Sequence, residues 1–330
     1  MSDKNGSEGR IQWSRFFKKL SPYMIQKGLL YLKHYGPREF WIRLHERFEP
    51  EEIPYGPWYA AYVPDQTVLD KQRKKKFAYA PLISVVVPAY RTPELFLQQM
   101  IDSLEAQTYE DWELLLTDDH STDKSAAMAK RLAAQDSRIR VLTQKDGIKG
   151  AANARNLGTS QAQGRYLCFL DADDVWRPDK LEKEFEFLKR TGAAFVFSGY
   201  EFGDENAVGT GKVVRVPERL DYREALSRTV IFTSTVLFDR EKLSDELLVM
   251  PDVPSEDTAM WWQILRAGNT AFGLNENLVI YRRPKKSLSS NKAKALKRIW
   301  GLYRKQEGLS VIKSAWHFCF WAVRATLRRI

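Results

Sequence analysis

Between residues 81 and 202 the chain alternates short apolar runs with amphipathic stretches of helical period, and this alternation limits its fold more than any other feature. The apolar runs are 82–87, 112–117, 139–143, 165–170 and 194–202. The helical stretches between them run from Pro93 to about Gln107, 124 to 134, 150 to about 162, and 178 to 190. Buried strands linked by helices predict a mixed, mostly parallel sheet covered on both faces. Thr92 is placed to cap the first of these helices, with Pro93 in its first turn. Sheets of this kind bind ligands at the carboxyl ends of their strands. The polar residues that follow each strand are therefore the candidates for chemistry.

Three strands end in such residues: Pro88-Ala89-Tyr90, Asp118-Asp119-His120-Ser121-Thr122-Asp123, and Asp171-Ala172-Asp173-Asp174. A buried strand running into three acids among four residues is unfavourable unless something offsets their repulsion. A hard divalent cation does so, and Mg²⁺ or Mn²⁺ takes few carboxylates together with phosphate oxygens. The same acids would also suit the dipole of the helix that follows. Asp118 and Asp119 fit a hydrogen bond to a nucleoside base and equally a helix cap, which Ser121 or Thr122 also fits. Tyr90 suits stacking on a base or a place at the core edge. Cys168, inside the run Tyr166-Leu167-Cys168-Phe169-Leu170, reads as a buried small hydrophobe. It and Cys319 are the two cysteines of the chain, far apart and outside any metal-binding spacing.

In order along the chain stand SVVVPAY, SLEAQTYEDWELLLTDDHSTD, GAANARNLG and GRYLCFLDADDVWRPDKL. Together these segments resemble the family 2 inverting glycosyltransferases of the GT-A fold, over residues from about 81 to 292. The resemblance implies a nucleotide-diphospho-sugar donor, UDP- or dTDP-linked, and Mn²⁺ or Mg²⁺ as cofactor. It implies that Pro88, Tyr90 and Asp119 line the nucleoside pocket, that Asp171 lies by the ribose and diphosphate, and that Asp173 binds the metal. Arg155, in ARN, would help shape the donor pocket. His120 stands where the family usually has Gly or Asn.

A base for the acceptor hydroxyl is sought in Pro254-Ser255-Glu256-Asp257, which opens an amphipathic helix carrying Met260, Trp261, Ile264 and Leu265. Ser255 suits an N-cap and the acids suit the helix dipole. In the family an acidic pair before this helix includes the catalytic base. The resemblance thus makes Asp257 the base and places Glu256 and Trp262 on the acceptor side. Arg282 or Arg283 suits a diphosphate. The stretch from Ile280 to Asn291 resembles bacterial members that build capsule, teichuronic acid and lipopolysaccharide. The QxxRW motif of processive synthases is absent, so a single sugar transfer to a glycan or lipid-linked acceptor is expected.

Charge is distributed unevenly. From Arg282 to the end, fourteen Lys/Arg stand against Glu307 alone, a net +13; the whole chain nets +10, so the remainder nets −3. A basic tail calls for a polyanionic partner. Ile312, Trp316, Cys319, Val323 and Leu327 form an apolar stripe at helical spacing, beside a polar stripe of Lys313, His317, Arg324 and Arg328. This pattern fits a helix lying in an anionic membrane surface, or one packed on the catalytic domain. Trp13, Phe16, Phe17 and Leu20, set among Arg15, Lys18 and Lys19, suit a second contact. The chain opens MSDKNGSEGR without the apolar run of a secretory signal, so a cytoplasmic protein peripheral on the inner face of the membrane is expected.

Three divisions are expected: a helical extension and linker over 1–80, a GT-A catalytic domain over 81–291, and basic amphipathic helices over 292–330. Phe40, Trp41, Leu44 and Phe48 mark a helix in the first, and Lys71 to Lys76 a charged linker. A dinucleotide dehydrogenase is excluded by Pro88-Ala89-Tyr90 where a GxGxxG loop would stand. The alternatives are a nucleic-acid-binding protein using the basic tail, against which no nucleic-acid partner is expected, and an inactive scaffold related to the glycosyltransferases.

Overall fold

The computed structural model describes residues 80–283 and 292–329, together with Thr67 and Asp70. The described residues all belong to one compact unit of the chain. The expected helix around Phe40 to Phe48, the aromatic and basic residues from Trp13 to Leu20, the charged run at Lys71 to Lys76 and the stretch 284–291 lie outside the described residues.

Strands β1 (Ile83–Ala89), β2 (Trp112–Asp118), β3 (Ile139–Thr143) and β4 (Tyr166–Phe169) pair in parallel in the order β3-β2-β1-β4. Their connections are helices α1 (Glu94–Glu105), α2 (Lys124–Gln135) and α3 (Ala151–Gln161). β1 and β2 are buried almost throughout, as continuous Val/Ile/Leu runs in a two-sided sheet must be. Pro93 itself holds the N-cap position of α1 with no side-chain hydrogen bond, so Thr92 does not cap it. Asp123 caps α2, accepting from the Ser125 amide. This leaves the two preceding aspartates for other work.

Next come β5 (Val175–Trp176), α4 (Lys180–Thr191), β6 (Phe195–Gly203), β7 (Gly209–Val214), β8 (Arg219–Leu220) and α5 (Tyr222–Ser227). They are followed by β9 (Val236–Asp239), α6 (Glu256–Arg266) and β10 (Ala271–Arg282). The sheet continues β4-β9-β6-β10-β5, with β7 on β6 and β8 on β10. β6 and β10 are parallel, while β9 lies antiparallel between β4 and β6. The result is a mixed sheet of GT-A type, flanked by helices. Phe195, Phe238 and Trp261 form its aromatic centre, with Trp261 stacked on Phe238 at 5.6 Å.

Register fixes the site. Ala89 lies opposite Asp118, and the Asp119 amide donates to the Ala89 carbonyl at 2.9 Å. The Leu170 amide donates to the Val86 carbonyl at 3.1 Å. The loops after β1, β2 and β4 therefore leave one edge of the sheet together. α3 reaches the same edge because Gly158 lets it approach β1; a Cβ there would fall 2.4 Å from Val86 Cγ1.

The C-terminal part is α7 (Lys292–Gly301), a wider turn at Leu302–Gln306 and α8 (Val311–Arg329). Tyr303 stacks on Trp262 at 5.2 Å. α8 is joined to the chain around α5: Trp321 Nε1 donates to Thr229 Oγ1 at 2.7 Å, and an Arg324 guanidinium nitrogen to the Ser227 carbonyl at 3.2 Å. His317 Nδ1 and Ser227 Oγ are 2.8 Å apart. No helix among the described residues is long and apolar enough to cross a membrane.

Candidate active site

At the carboxyl edge, Pro88 is half-buried one residue before the end of β1, and Tyr90 projects with 56% of its surface exposed. The Arg91 guanidinium lies 5.2 Å from the Tyr90 ring centre, and the Arg91 amide donates to Ser121 Oγ at 3.0 Å. Asp119 is bound into this edge: Gln144 Nε2 donates to Oδ1 at 2.7 Å and the Gly150 amide to Oδ2 at 2.9 Å. Gly150 has φ 101°, a conformation open to glycine, and it is the N-cap of α3. His120 has φ 57° and its Nε2 lies 3.2 Å from the Lys145 carbonyl. It therefore spans the loops after β2 and β3.

The four-residue acidic loop after β4 separates into three different environments. Asp171 is paired with Arg155 at 2.6 Å. Asp174 is fully buried, accepting from Ser234 Oγ at 2.6 Å and from the Arg282 amide at 3.1 Å. Burial, with Asp173 beside it, pushes its carboxyl well above the usual range. The Asp173 carboxylate accepts from no other residue among the described residues. Burial and then the Asp171 charge push it up to about 6. Such a half-buried, repelled and unpaired hard oxygen donor fits a divalent cation, which would relieve the repulsion. Among the described residues no group of three His, Cys, Asp or Glu side chains could hold a cation by itself. Phosphate oxygens of a substrate would have to complete the shell.

Arg282 does not face a diphosphate. It is 1% exposed, and its three guanidinium nitrogens donate to the Asp173 carbonyl at 2.6 Å, the Glu205 carbonyl at 2.7 Å and Gln99 Oε1 at 2.7 Å. It braces the acidic loop from behind, while Arg283 stays exposed.

Arg155 is the centre of the site. From the middle of α3 it donates to Asp171 and, at 2.9 Å, to Glu256 at the start of α6. Burial alone would lower its pKa, but the Asp171 and Glu256 charges override this and raise it. Its field also reaches Asp173 and Asp257. Asn156, next to it, makes paired hydrogen bonds with the Met250 backbone at 2.8 and 2.7 Å, fixing the segment before α6.

Asp257 takes two hydrogen bonds, from the Thr258 amide at 2.6 Å and from Thr233 Oγ1 at 3.2 Å. Burial, then the neighbouring Glu256 charge, raises its carboxyl above the ordinary value. A carboxylate so raised is a stronger proton acceptor than an ordinary one. Ser255 occupies the N-cap with φ 66° and makes no capping hydrogen bond. The acids thus open α6 directly after a residue in the left-handed region, a strain often kept at functional sites.

Trp262 is not an acceptor wall. It is 1% exposed, its Nε1 donates to the Ala225 carbonyl at 3.2 Å, and Tyr303 covers its face. α6 is packed on both sides, against the sheet through Trp261 and against the C-terminal turn through Trp262, so both indoles belong to the core.

Nothing in the sequence marks Thr233 and Ser234. They lie in a buried turn, Thr233–Thr235, before β9. Ser234 Oγ accepts from the Asp171 amide and donates to Asp174, and Thr233 donates to Asp257. A single turn thus holds both the acidic loop and the candidate base. Gln144, the partner of Asp119, was equally unmarked.

Fold and site together define a glycosyltransferase of the GT-A type. The fold is shared with a mannosyltransferase, PcManGT from Pyrobaculum calidifontis, solved with GDP-Man and Mn²⁺ (TM-score 0.57, 18% identity, 78% of this chain and 79% of that one). It is also shared with S. aureus TarS 1-349 in complex with UDP-GlcNAc (TM-score 0.54, 16% identity, 73% and 71%). Residues 84–246 match the family described as Glycosyl transferase family 2. The putative teichuronic acid biosynthesis glycosyltransferase TuaG of Bacillus subtilis is 38% identical over 253 residues, 76% of this chain and 99% of that protein. The Escherichia coli UDP-Glc:alpha-D-GlcNAc-diphosphoundecaprenol beta-1,3-glucosyltransferase WfgD is 37% identical over 221 residues, 66% and 84%. The chain belongs to glycosyl transferase family 2 and is a glycosyltransferase.

Proposed function

We propose that the protein is an inverting enzyme of cell-surface polysaccharide synthesis. It moves one sugar from a UDP- or dTDP-linked donor to a glycan or lipid-linked acceptor at an anionic membrane surface. Arg155 carries this conclusion: it joins Asp171, on the donor side, to Glu256, which is adjacent in sequence to Asp257. The names of TuaG and WfgD, one a teichuronic acid enzyme and one acting on a diphosphoundecaprenol-linked sugar, support the acceptor class.

In the proposed mechanism Tyr90 and Asp119 seat the nucleoside, and Asp171 lies by the ribose and diphosphate. Asp173 would hold Mn²⁺ or Mg²⁺, which would supply positive charge for the departing diphosphate. Asp257 takes the proton of the acceptor hydroxyl, whose oxygen attacks the anomeric carbon from the face opposite the leaving group, so the anomeric configuration inverts. Thr233 and the Thr258 amide orient the Asp257 carboxylate. Glu256, tied to Arg155, keeps the acceptor side in register with the donor side.

A panel of UDP-, dTDP- and GDP-sugars with Mn²⁺ tests this, read by thermal shift and donor hydrolysis. One uridine or thymidine donor is expected to stabilise the protein and be hydrolysed only with the cation. A protein that responds to no nucleotide sugar, yet binds DNA or RNA with a steep salt dependence, would be a nucleic-acid-binding protein instead.

A further inference from the structure

The C-terminal helices take no part in the chemistry above, and α8 has two unlike faces. Its inner face holds Ser314, fully buried, with His317, Trp321 and Arg324 hydrogen-bonded to Ser227 and Thr229. Its outer face carries the stripe Ile312, Trp316 and Cys319 at i, i+4 and i+7. Ile312 is 84% and Trp316 59% exposed, Val311 beside them is exposed, and so are Lys313 and Cys319. On α7, Leu296 is exposed among Lys294, Lys297 and Arg298. A helix on a soluble surface buries its apolar stripe and hydrates its polar one. α8 departs from this: Trp321 and Phe318 pack inward beside its histidine and one of its arginines, but Ile312 and Trp316 turn to water.

We propose that this outer face lies in the surface of an anionic bilayer, with Ile312, Trp316 and Cys319 at the headgroup–acyl boundary and the lysines and Arg298 against lipid phosphates. Charge selects the occupant. The segment from Arg282 onward has fourteen Lys/Arg, and its lone acid, Glu307, is already bound to Arg266 at 2.6 Å and to Tyr222 at 2.5 Å. A nucleic acid would match that charge but not the apolar stripe. A second copy of this chain would match the stripe but bring the same positive charge against it. Apolar and basic side chains mixed on one exposed helix face fit an interfacial helix. The inference rests on the proposed membrane-surface reaction only for its biological setting, since docking is measured without catalysis.

Cys319 supplies the reporter. The other cysteine, Cys168, is fully buried, and burial pushes its thiol up to about 12, so a polarity-sensitive maleimide dye marks Cys319. The labelled full-length protein is mixed with vesicles of phosphatidylcholine containing about one third phosphatidylglycerol. The expected result is co-sedimentation with a blue-shifted, brighter dye, and neither change with phosphatidylcholine alone. Ile312→Asp with Trp316→Asp is expected to weaken binding about tenfold or more at unchanged Tm, since both positions are exposed. Each exposed lysine changed to Gln is expected to weaken it about fivefold. Three results would overturn the proposal: no sedimentation with anionic vesicles, sedimentation while the dye stays in water, or a blue shift that follows protein concentration without lipid. Asp257→Asn should bind vesicles like the unaltered protein whatever happens to transfer, so failure of docking and failure of the catalytic proposal are told apart.

Discussion

Asp173→Asn should strengthen the metal-free protein while removing its cation response, and both effects follow from one side chain. Burial and the Asp171 charge raise the Asp173 carboxyl from 3.8 to about 6. A carboxylate raised in this way holds its proton more tightly folded than unfolded. Its charged form therefore opposes folding above about pH 6, and the opposition vanishes below pH 3.8, where both states are protonated. A rise of about two units, at roughly 1.4 kcal/mol each, sets a ceiling of about 3 kcal/mol at pH 8 and about a third of that near pH 4.5. Water at a half-buried carboxylate lowers the ceiling, so about 1–3 kcal/mol is expected at pH 8. The assay is urea unfolding in a chelator at both pH values, repeated with Mn²⁺ and UDP. The variant should be the more stable at pH 8, and its advantage should shrink in acid. Ligand should stabilise the unaltered protein and not the variant. A variant no more stable at pH 8, or stabilised equally by Mn²⁺ and UDP, would refute both the electrostatic account and the cation assignment.

Asp257→Asn is expected to keep donor affinity and lose about 10²–10⁴ in kcat, the usual contribution of a positioned base; transfer near the unaltered rate would place the base elsewhere. Thr233→Val removes the hydroxyl that donates to Asp257. The acid limb of the kcat/KM profile should then move up by about half to one pH unit, and Thr233→Ser should restore it; an unmoved limb would reduce Thr233 to packing. Arg155→Met leaves Asp171 and Glu256 without their shared partner in a buried setting. It should cost about 3–5 kcal/mol by urea unfolding, and a loss within the noise would mean that solvent already screens both pairs.

The parts of the fold that could be read from sequence are those where local pattern and burial agree. β1, β2 and β4 are continuous apolar runs because both sheet faces are covered, and the acids after them are conspicuous against that background. β9 is four residues, VLFD, too short for its pattern to separate strand from turn. β10 carries Gly273, Asn275, Glu276 and Asn277 through its middle, where its register against β6 shifts, so its pattern breaks at the place where the strand does. Side-chain bridges across the site were hidden for another reason. Thr233 to Asp257 spans 24 residues, Ser234 to Asp174 spans 60, and Arg155 to Glu256 spans 101. No local spacing encodes such contacts.

Periodicity also gives a helix its stripes without saying which stripe faces in, and α6 and α8 show this from opposite sides. On α6 the tryptophans offered a sugar-binding face, yet the helix lies between Phe238 and Tyr303, and a large ring placed between two packed layers is buried whichever side it takes. On α8 the apolar stripe fitted a membrane surface and equally a place on the catalytic domain. The chain around α5 presents Ser227 and Thr229, hydroxyl and carbonyl groups that bind His317, Trp321 and Arg324 and fix the face carrying these three inward. The facing partner decides the orientation, and in both helices that partner is remote in sequence. An apolar stripe turned out by such hydrogen bonds persists without any membrane present, so the face proposed for lipid docking is already ordered before any lipid binds.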